Sequence, residues 1–154
     1  GMDTVKRQDM AAFLRREAVR MGISDAAAWK PSAGDWAKFR DVDRSTPHAE
    51  DILWLAHSGI AQGYSDGTFR GMTPVYRQDM AAFLHRLASK GGKGKDVEPR
   101  GFRDVTDSTP HADDIRWLGG SGVSTGYPDG SFGGMVSVYR QDMAAFLHRL
   151  DSLS

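Results

Sequence analysis

The sequence predicts an all-α protein in which pseudo-threefold helix-loop-helix repeats pack around a central helical bundle. Three observations predict this class. A stretch spanning 39–87 recurs at 102–150, with about 35 of 49 positions identical. The apolar residues of each copy recur at helical spacing. Turn sequences rich in glycine and proline separate the helices within each copy.

The second helix of each repeat, called the back helix, is the most strongly repeated element. VYRQDMAAFLHRL stands at 75–87 and again at 138–150, and VKRQDMAAFLRR stands at 5–16 as a third copy. Met80, Phe83, Leu84 and Leu87 follow the spacing i, i+3, i+4, i+7, which places them on one helix face. A two-helix repeat cannot bury both of its apolar stripes alone, so we expect the copies to pack around a shared axis.

The first helix of each repeat, called the front helix, follows a Ser-Thr-Pro sequence. Either Ser45 or Thr46 is suited to cap it, and Pro47 is suited to its first position. Gly59 predicts a left-handed end, with Ile60 folding back on the helix in a Schellman motif. The second complete repeat carries the same signals.

A loop with tight-turn sequences joins the two helices. It reads Tyr-Ser-Asp-Gly at 64–67 and Tyr-Pro-Asp-Gly at 127–130. Glycine permits the positive φ that such turns require, and proline presets the φ of the turn. Phe69 and Phe132 follow the turns and are expected to anchor the loops in the core.

The chain thus contains half a repeat followed by two whole repeats, which we expect to form one domain. We assign the back half of a first repeat, a linker, a second repeat, a linker rich in glycine and lysine, and a third repeat to 1–22, 23–38, 39–88, 89–101 and 102–154.

A threefold arrangement needs three front helices, and the sequence supplies two. The missing front half could lie upstream of this sequence. Residues 24–38, with Trp29 and Trp36, could instead cover the apolar stripe. A second chain could also cover it, since an exposed apolar patch favours association, and this alternative predicts a homodimer through the incomplete first repeat.

Composition excludes several function classes. The formal net charge is zero, which removes the usual electrostatic argument for nucleic acid or an anionic membrane surface. No apolar run approaches the roughly 18 residues of a bilayer-spanning helix, so we expect no membrane insertion. Cysteine is absent, so the chain offers neither disulfides nor thiolate metal ligands.

The repeat motifs resemble those of the S-layer homology family. Each complete copy reads F-x-D-V, then I-x-W-L, then G-Y-x-D-G-[TS]-F, then V-x-R-x-D followed by an apolar helix. The resemblance covers one partial and two complete repeats. It implies a mostly helical, three-pronged spindle that anchors extracellular proteins to the cell-wall polysaccharide of Gram-positive bacteria, often a polymer with pyruvylated sugars. It also implies a cell-surface location and a non-catalytic module, fused in many members to a hydrolase.

The helix-opening motif of the family is Thr-Arg-Ala-Glu. Here the three copies read Lys-Arg-Gln-Asp at 6–9, Tyr-Arg-Gln-Asp at 76–79 and Tyr-Arg-Gln-Asp at 139–142, so the arginine is retained and the capping threonine is replaced. The residues that the resemblance and the chemistry of side chains select as ligand-binding candidates are Arg7, Arg77, Arg140, Asp79, Asp142, Tyr76, Tyr139, Trp54, Trp117, Tyr64 and Tyr127.

The arginines have two interpretations. A guanidinium at a helix start, near free amide groups, suits the carboxylate of a pyruvylated sugar. Alternatively, each arginine pairs with a nearby aspartate such as Asp41 or Asp104 and only braces adjacent repeats. Trp54 and Trp117 could likewise stack on sugar or fill a groove between repeats, and we favour the structural role.

Neither metal binding nor catalysis is expected. Zinc needs three or four converging ligands. The repeated histidines, His48 with His111 and His85 with His148, are expected at the surface or at helix caps. The aspartates of the loop turns lack the alternating ligand pattern of a calcium loop. No catalytic motif is present, and identical copies of one carboxylate do not supply the unlike groups of an active site. No cofactor is expected.

Repetition favours binding, because several weak sites on one body hold a polymer through effective concentration. The sequence therefore predicts a cell-wall anchor. Two alternatives stay open: an accessory region of a cell-wall glycoside hydrolase, and a protein–protein oligomerisation scaffold without a sugar site.

Overall fold

The computed structural model describes residues 3–154, which form six helices and no β-strand. The helices are α1 (Arg7–Arg20), α2 (Ala33–Trp36), α3 (Ala49–Ser58), α4 (Arg77–Lys90), α5 (Ala112–Ser121) and α6 (Arg140–Asp151). The back helices are α1, α4 and α6, and the front helices are α3 and α5. The all-α prediction is confirmed, whereas the three-pronged arrangement stays a prediction.

The chain divides into two compact units. The amino-terminal unit is Lys6–Pro74, and the carboxy-terminal unit is Val75–Ser154 together with residues 3–5. In the amino-terminal unit α1 packs on α3, and in the carboxy-terminal unit α4 packs on α5. The back helices α1 and α4 are therefore each paired with the front helix of the following repeat.

The apolar stripe of the back helices forms the core at these contacts. Met10 and Leu14 of α1 are completely buried, and so are Met80, Leu84 and Leu87 of α4. Removing such side chains from water is the main source of stability, at about 1.5–3 kcal/mol for each fully buried large aliphatic residue.

The front helices begin later than the sequence suggests. They start at Ala49 and Ala112, and each is preceded by a histidine in the left-handed region, His48 with φ of 58° and His111 with φ of 60°. The Thr46 hydroxyl accepts a hydrogen bond from the Asp43 amide, so it closes the preceding turn instead of capping the helix. The expected cap is therefore wrong.

The ends of the front helices follow the sequence signal. Gly59 adopts φ of 82°, and the Ile60 amide donates to the Leu55 carbonyl at 2.9 Å. Gly122 ends α5 in the same left-handed conformation, with φ of 80°. The predicted Schellman motif is confirmed in the first complete repeat.

The loops are held by one aspartate each. Asp41 accepts hydrogen bonds from the amides of Phe69 and Arg70, both at 2.8 Å, and Asp104 accepts the equivalent pair from Phe132 and Gly133. Phe69 and Phe132 are completely buried, which confirms them as anchors. The F-x-D-V motif thus supplies a carboxylate that fixes the backbone of the loop about 28 residues later.

A closed ring of backbone hydrogen bonds joins the three segments that precede the back helices. The Val5 amide donates to the Val138 carbonyl, Val138 donates to Val75, and Val75 donates to Val5, at distances of 2.8–2.9 Å. All three valines are buried. Residues far apart in the chain therefore meet directly before the helices begin.

The segment between α1 and α3 packs against both helices. Asp25 accepts hydrogen bonds from the Trp54 indole and pairs with His57, while Trp29 stacks on the His57 ring with centroids 4.7 Å apart. Trp36 lies beside the Arg44 guanidinium at 4.6 Å. Both Trp29 and Trp36 keep part of their surface exposed.

Two glycines of the last repeat test the geometry of the loop. Gly122→Ala is expected to cost about 1–2 kcal/mol, because φ is 80° but no atom lies near the added methyl group. Gly126→Ala should cost more, because φ is also positive and the new Cβ would lie 2.5 Å from the Ser131 carbonyl oxygen. Urea unfolding of both variants measures the difference. Equal costs would contradict the packing of the loop.

Candidate ligand-binding site

An arginine at the start of a back helix reaches into the loop of the following repeat in both units. The Arg7 Nε donates to the Phe69 carbonyl at 2.8 Å, and the Arg77 Nε donates to the Phe132 carbonyl at 2.8 Å. Arg77 also donates from Nη2 to the Ser124 hydroxyl at 3.2 Å. Both arginines are only 5% exposed, so each one fixes the position of a loop.

Aromatic rings surround these guanidinium groups. The Arg7 Cζ lies 4.8 Å from the Tyr64 ring centroid and 4.5 Å from that of Phe69. The Arg77 Cζ lies 4.9 Å from Tyr127 and 4.7 Å from Phe132. Such distances allow cation–π attraction, which is stronger where water is excluded. We call each group of arginine, tyrosine and phenylalanine an arginine–aromatic cluster.

The charge of Arg77 is not cancelled by a close carboxylate. Burial lowers the pKa of the Arg77 guanidinium, and the nearby Tyr127, Asp142 and Asp104 partly oppose this shift. Within residues 3–154, no carboxylate oxygen lies within 4.0 Å of the Arg77 side-chain nitrogens. An anion that approached this cluster would therefore meet a positive charge in a partly dry setting.

The amide groups at the helix starts are already bonded, contrary to the sequence-based expectation. The Arg7 and Gln8 amides donate to the Thr73 and Gly71 carbonyls, each at 2.9 Å. The Arg77 and Gln78 amides donate to Val136 and Gly134 in the same way. The segment after each loop runs past the start of the preceding repeat's back helix and supplies these acceptors, so the start of α1 or α4 is not an open anion site.

A groove lies beside the cluster of the carboxy-terminal unit. Its volume is about 420 Å³, and its lining residues are Gln78, Asp104, Val105, Thr109, Pro110, Gly133, Gly134, Met135 and Val136. Met135 is 66% exposed. An apolar wall with a few amide, hydroxyl and carboxylate groups suits one face of a sugar ring together with its hydroxyl groups.

The tyrosines differ in how much of their surface is open. Tyr127 is 40% exposed. Tyr64 is less exposed, because Arg70 lies over its ring at 3.9 Å while pairing with Asp66. Gly133 stands where Arg70 stands in the previous repeat, so the corresponding face of Tyr127 has no such cover. This difference in cover can be predicted from the sequence, because alignment of the two complete repeats places Gly133 at the position of Arg70.

The remaining candidates lie in different surroundings. Tyr76 is 37% exposed, Tyr139 is half-buried, and Arg140 is exposed. Asp142 accepts a hydrogen bond from the Tyr139 amide. Asp79 pairs with His111 at 3.3 Å across the contact between α4 and α5.

The tryptophans lie in the interior. Trp54 is completely buried, and Trp117 is 6% exposed, donates to the Gly94 carbonyl and stacks on His85 with centroids 4.3 Å apart. Neither ring offers a face on which a sugar could stack, which favours the structural alternative. The use of the arginines and tyrosines as ligand contacts stays a prediction.

Sequence reasoning missed a buried serine beside Arg77 and the ion pairs of two histidines. Ser124 is buried beside Arg77, although nothing in the sequence marks it. His48 and His111 pair with the aspartates at the starts of back helices, Asp9 and Asp79. The sequence did contain a pattern that could have indicated these pairs, because both the histidine and the aspartate recur at equivalent positions of the repeats.

The structure also bears on metal and membrane binding. In the described part of the chain, no three histidine or carboxylate side chains gather closely enough to hold a metal ion. None of the helices within 3–154 has both the length and the apolar character of a bilayer-crossing segment.

Comparison with known proteins identifies relatives of this chain. The family model described as the S-layer homology domain matches residues 38–81 and 101–144, more than half of the chain. A cellulosome-anchoring protein of Acetivibrio thermocellus is 27% identical over 132 residues, which cover 84% of this chain and 28% of that protein. The chain thus spans little more than a quarter of that relative. The resemblance inferred from the repeat motifs is confirmed.

The buried and exposed copies of the same arginine predict different effects on stability. Arg77→Met keeps the apolar stem but removes the hydrogen bonds to Phe132 and Ser124, at an expected cost of about 1.5–3 kcal/mol. Arg140→Met, at an exposed position, should cost less than about 0.5 kcal/mol. Urea unfolding monitored by circular dichroism compares them. A larger loss for Arg140→Met would contradict the assignment.

The loop aspartates predict destabilisation in acid. The Thr68 hydroxyl and amide lower the pKa of Asp66 to about 2, and the Ser131 hydroxyl and amide lower the pKa of Asp129. Since the folded pKa lies below the ordinary value of roughly 3.9, this stabilisation is present above pH ~4 and is lost as the pH falls towards ~2. The urea midpoint should therefore fall across this range.

Replacement of both carboxylates gives the matched comparison. The double variant Asp66→Asn/Asp129→Asn should show a flatter pH dependence of the urea midpoint, whereas Asp113→Asn, with a fully exposed side chain, should retain the original slope. An unchanged slope in the double variant would show that the loop turns do not contribute.

Proposed function

Because the chain belongs to the S-layer homology domain family, we propose that it is a non-catalytic module that anchors a larger extracellular protein to an anionic bacterial cell-wall polysaccharide. A polymer with carboxylate-bearing, pyruvylated sugars is the ligand class that this proposal names. Its relative in Acetivibrio thermocellus is a cellulosome-anchoring protein, which supports a role in attachment.

The buried Arg77 guanidinium is the observation that carries this proposal. It is held by a carbonyl and a hydroxyl group, and no carboxylate within 3–154 forms an ion pair with it. A buried cation without an ionic partner is costly unless another interaction offsets the cost.

The tyrosine of the same cluster adds the second element of glycan recognition. The Tyr127 ring is 40% exposed and lies against the Arg77 guanidinium. Aromatic rings present a flat apolar surface with a polar edge, which suits stacking on the apolar face of a sugar. A carboxylated sugar could then be held by its charge and by its ring at the same time.

The duplication of the cluster suits a polymeric ligand. Arg7 with Tyr64 and Phe69 forms the same cluster in the amino-terminal unit as Arg77 with Tyr127 and Phe132 in the other. Two weak sites on one chain raise the apparent affinity for a repeating polymer, because binding at one site raises the effective ligand concentration at the other.

A protein–protein scaffold is the second candidate function, and one observation favours it. The back helix α6 exposes Ala144 and leaves Leu147 half-buried, whereas the equivalent residues of α4, Ala81 and Leu84, are completely buried. An apolar helix face open to solvent is typical of a protein contact.

Sedimentation with isolated cell walls tests the anchoring proposal. The chain should sediment with intact walls but not with walls stripped of polysaccharide, and higher ionic strength should reduce the bound fraction. Tyr127→Leu and Arg77→Met should each reduce binding by about tenfold, as expected for loss of about 1.4 kcal/mol at one cluster. Lys90→Met removes an exposed positive charge from the end of α4 and serves as the control.

Circular dichroism of each variant at the same temperature verifies that it remains folded. Equal binding to intact and stripped walls would remove the polysaccharide as ligand. Equal binding by Tyr127→Leu, Arg77→Met and the control would remove the clusters as the site.

A further inference from the structure

The two complete repeats carry different residues at one backbone position of the loop. Arg70 and Gly133 both adopt the left-handed conformation, with φ of 57° and 71°. Each amide donates to the aspartate that fixes its loop, at 2.8 Å for Arg70 and 2.9 Å for Gly133. The left-handed region suits glycine and strains residues that carry a Cβ. Strain that a native structure retains points to a use for the side chain of Arg70.

The side chain of Arg70 joins the amino-terminal arginine–aromatic cluster. Its Cζ lies 3.9 Å from the Tyr64 ring centroid. Its Nη2 donates to the Asp66 carboxylate at 3.2 Å, and its Nε donates to the Thr68 hydroxyl at 3.3 Å. A guanidinium has five N–H donors, so these two hydrogen bonds leave donors for a ligand. The side chain is 48% exposed, which gives a ligand access to it.

The carboxy-terminal cluster places its tyrosine where that arginine would stand. A Cβ added at Gly133 would lie 2.7 Å from the Tyr127 Cε2, so the ring occupies space that a longer residue would need. Tyr127 is also more exposed than Tyr64. The carboxy-terminal cluster therefore presents more aromatic surface, and it lacks the exposed guanidinium because the residue is glycine.

The exchange of arginine for glycine also changes the charge of the cluster by one unit. The other charged side chains of the clusters and their loops are matched between the two: Arg7 by Arg77, Arg40 by Arg103, Asp41 by Asp104 and Asp66 by Asp129. Hydrogen bonds from Thr68 lower the pKa of Asp66 to about 2, and those from Ser131 lower the pKa of Asp129, so both carboxylates are ionised near neutral pH. The amino-terminal cluster thus carries one more positive charge.

The turn around Arg70 does not need this side chain for its structure. The Tyr64 amide closes the turn by donating to the Thr68 carbonyl at 2.8 Å, and the turn of the last repeat is closed in the same way at 2.8 Å although it carries glycine. The carboxylate of each turn also accepts a hydroxyl donor at 2.6 Å in both repeats. An exposed ion pair such as that of Arg70 with Asp66 adds little stability. These contacts favour a binding role over a bracing role.

We propose that Arg70 is a specificity-determining residue that makes the amino-terminal cluster more selective for carboxylated sugars than the carboxy-terminal cluster. This inference rests on the proposed function, in which the two clusters bind the glycan. The exposed Arg70 guanidinium donates to the ligand carboxylate in a charge-assisted hydrogen bond. The open Tyr127 ring stacks on the apolar face of a sugar whether or not the sugar carries a charge.

NMR titration with two small sugars measures this selectivity at each cluster separately. The probes are a methyl glycoside whose sugar carries a pyruvate ketal and the same glycoside without the ketal. The amides of Thr68 and Ser131 occupy equivalent positions of the two loops and report on the two clusters. We expect the preference for the ketal to be about tenfold larger at Thr68 than at Ser131, as one hydrogen bond to a charged group provides.

Three variants separate the charge of Arg70 from its backbone. Arg70→Gly introduces the residue of the last repeat, which suits a left-handed backbone, so the urea midpoint should change little. This variant should lose the additional preference at Thr68 and keep the binding at Ser131. Arg70→Lys keeps the charge and the backbone strain and should retain part of the preference. Lys38→Gln removes an exposed charge elsewhere in the same unit and is the matched control.

The outcomes distinguish this inference from the function on which it rests. An unchanged preference at Thr68 in Arg70→Gly, or an equal preference at the two amides of the original chain, would overturn the role of Arg70. Absence of any shift at Thr68 with the ketal would overturn it as well. Sedimentation of the same chain with intact and stripped walls then decides separately whether the anchoring function stands.

Discussion

Burial of one face of a back helix by the front half of the following repeat is the constraint on which the other features depend. It sets which helices pair, α1 with α3 and α4 with α5. It also carries the first arginine of each covered helix into the next loop, where the guanidinium bonds to the Phe69 or Phe132 carbonyl. The core and the candidate site are thus consequences of the same packing step.

The sequence predicts local structure well where the signal is local. Helical spacing places Met80, Leu84 and Leu87 on a buried face, and Gly59 with Ile60 forms the expected helix end. These features depend on a few neighbouring residues and on backbone sterics. The predicted cap of the front helix was wrong because the Thr46 hydroxyl accepts a hydrogen bond from the Asp43 amide in the turn before the helix.

Features that depend on residues distant in the chain could not be predicted from the periodicity of the sequence. Periodicity shows that a helix has an apolar face, but it does not show which helix covers it, and RQDMAAFLHRL is buried in α4 and partly exposed in α6. The free amides expected at helix starts are occupied by the carbonyls of Gly71, Thr73, Gly134 and Val136, which lie about 60 residues away from the amides in sequence. The resemblance of the motifs to a known family supplied the function class that these patterns alone could not.

Amide hydrogen exchange in α4 and α6, resolved by residue with NMR, tests the packing constraint most directly. The shared sequence RQDMAAFLHRL gives both helices nearly the same intrinsic exchange rates, so a difference in protection reports on packing alone. We expect amides of α4 around Ala81 and Leu84 to exchange more slowly than those of α6 around Ala144 and Leu147. Equal protection of the two helices, or slower exchange in α6, would contradict the account.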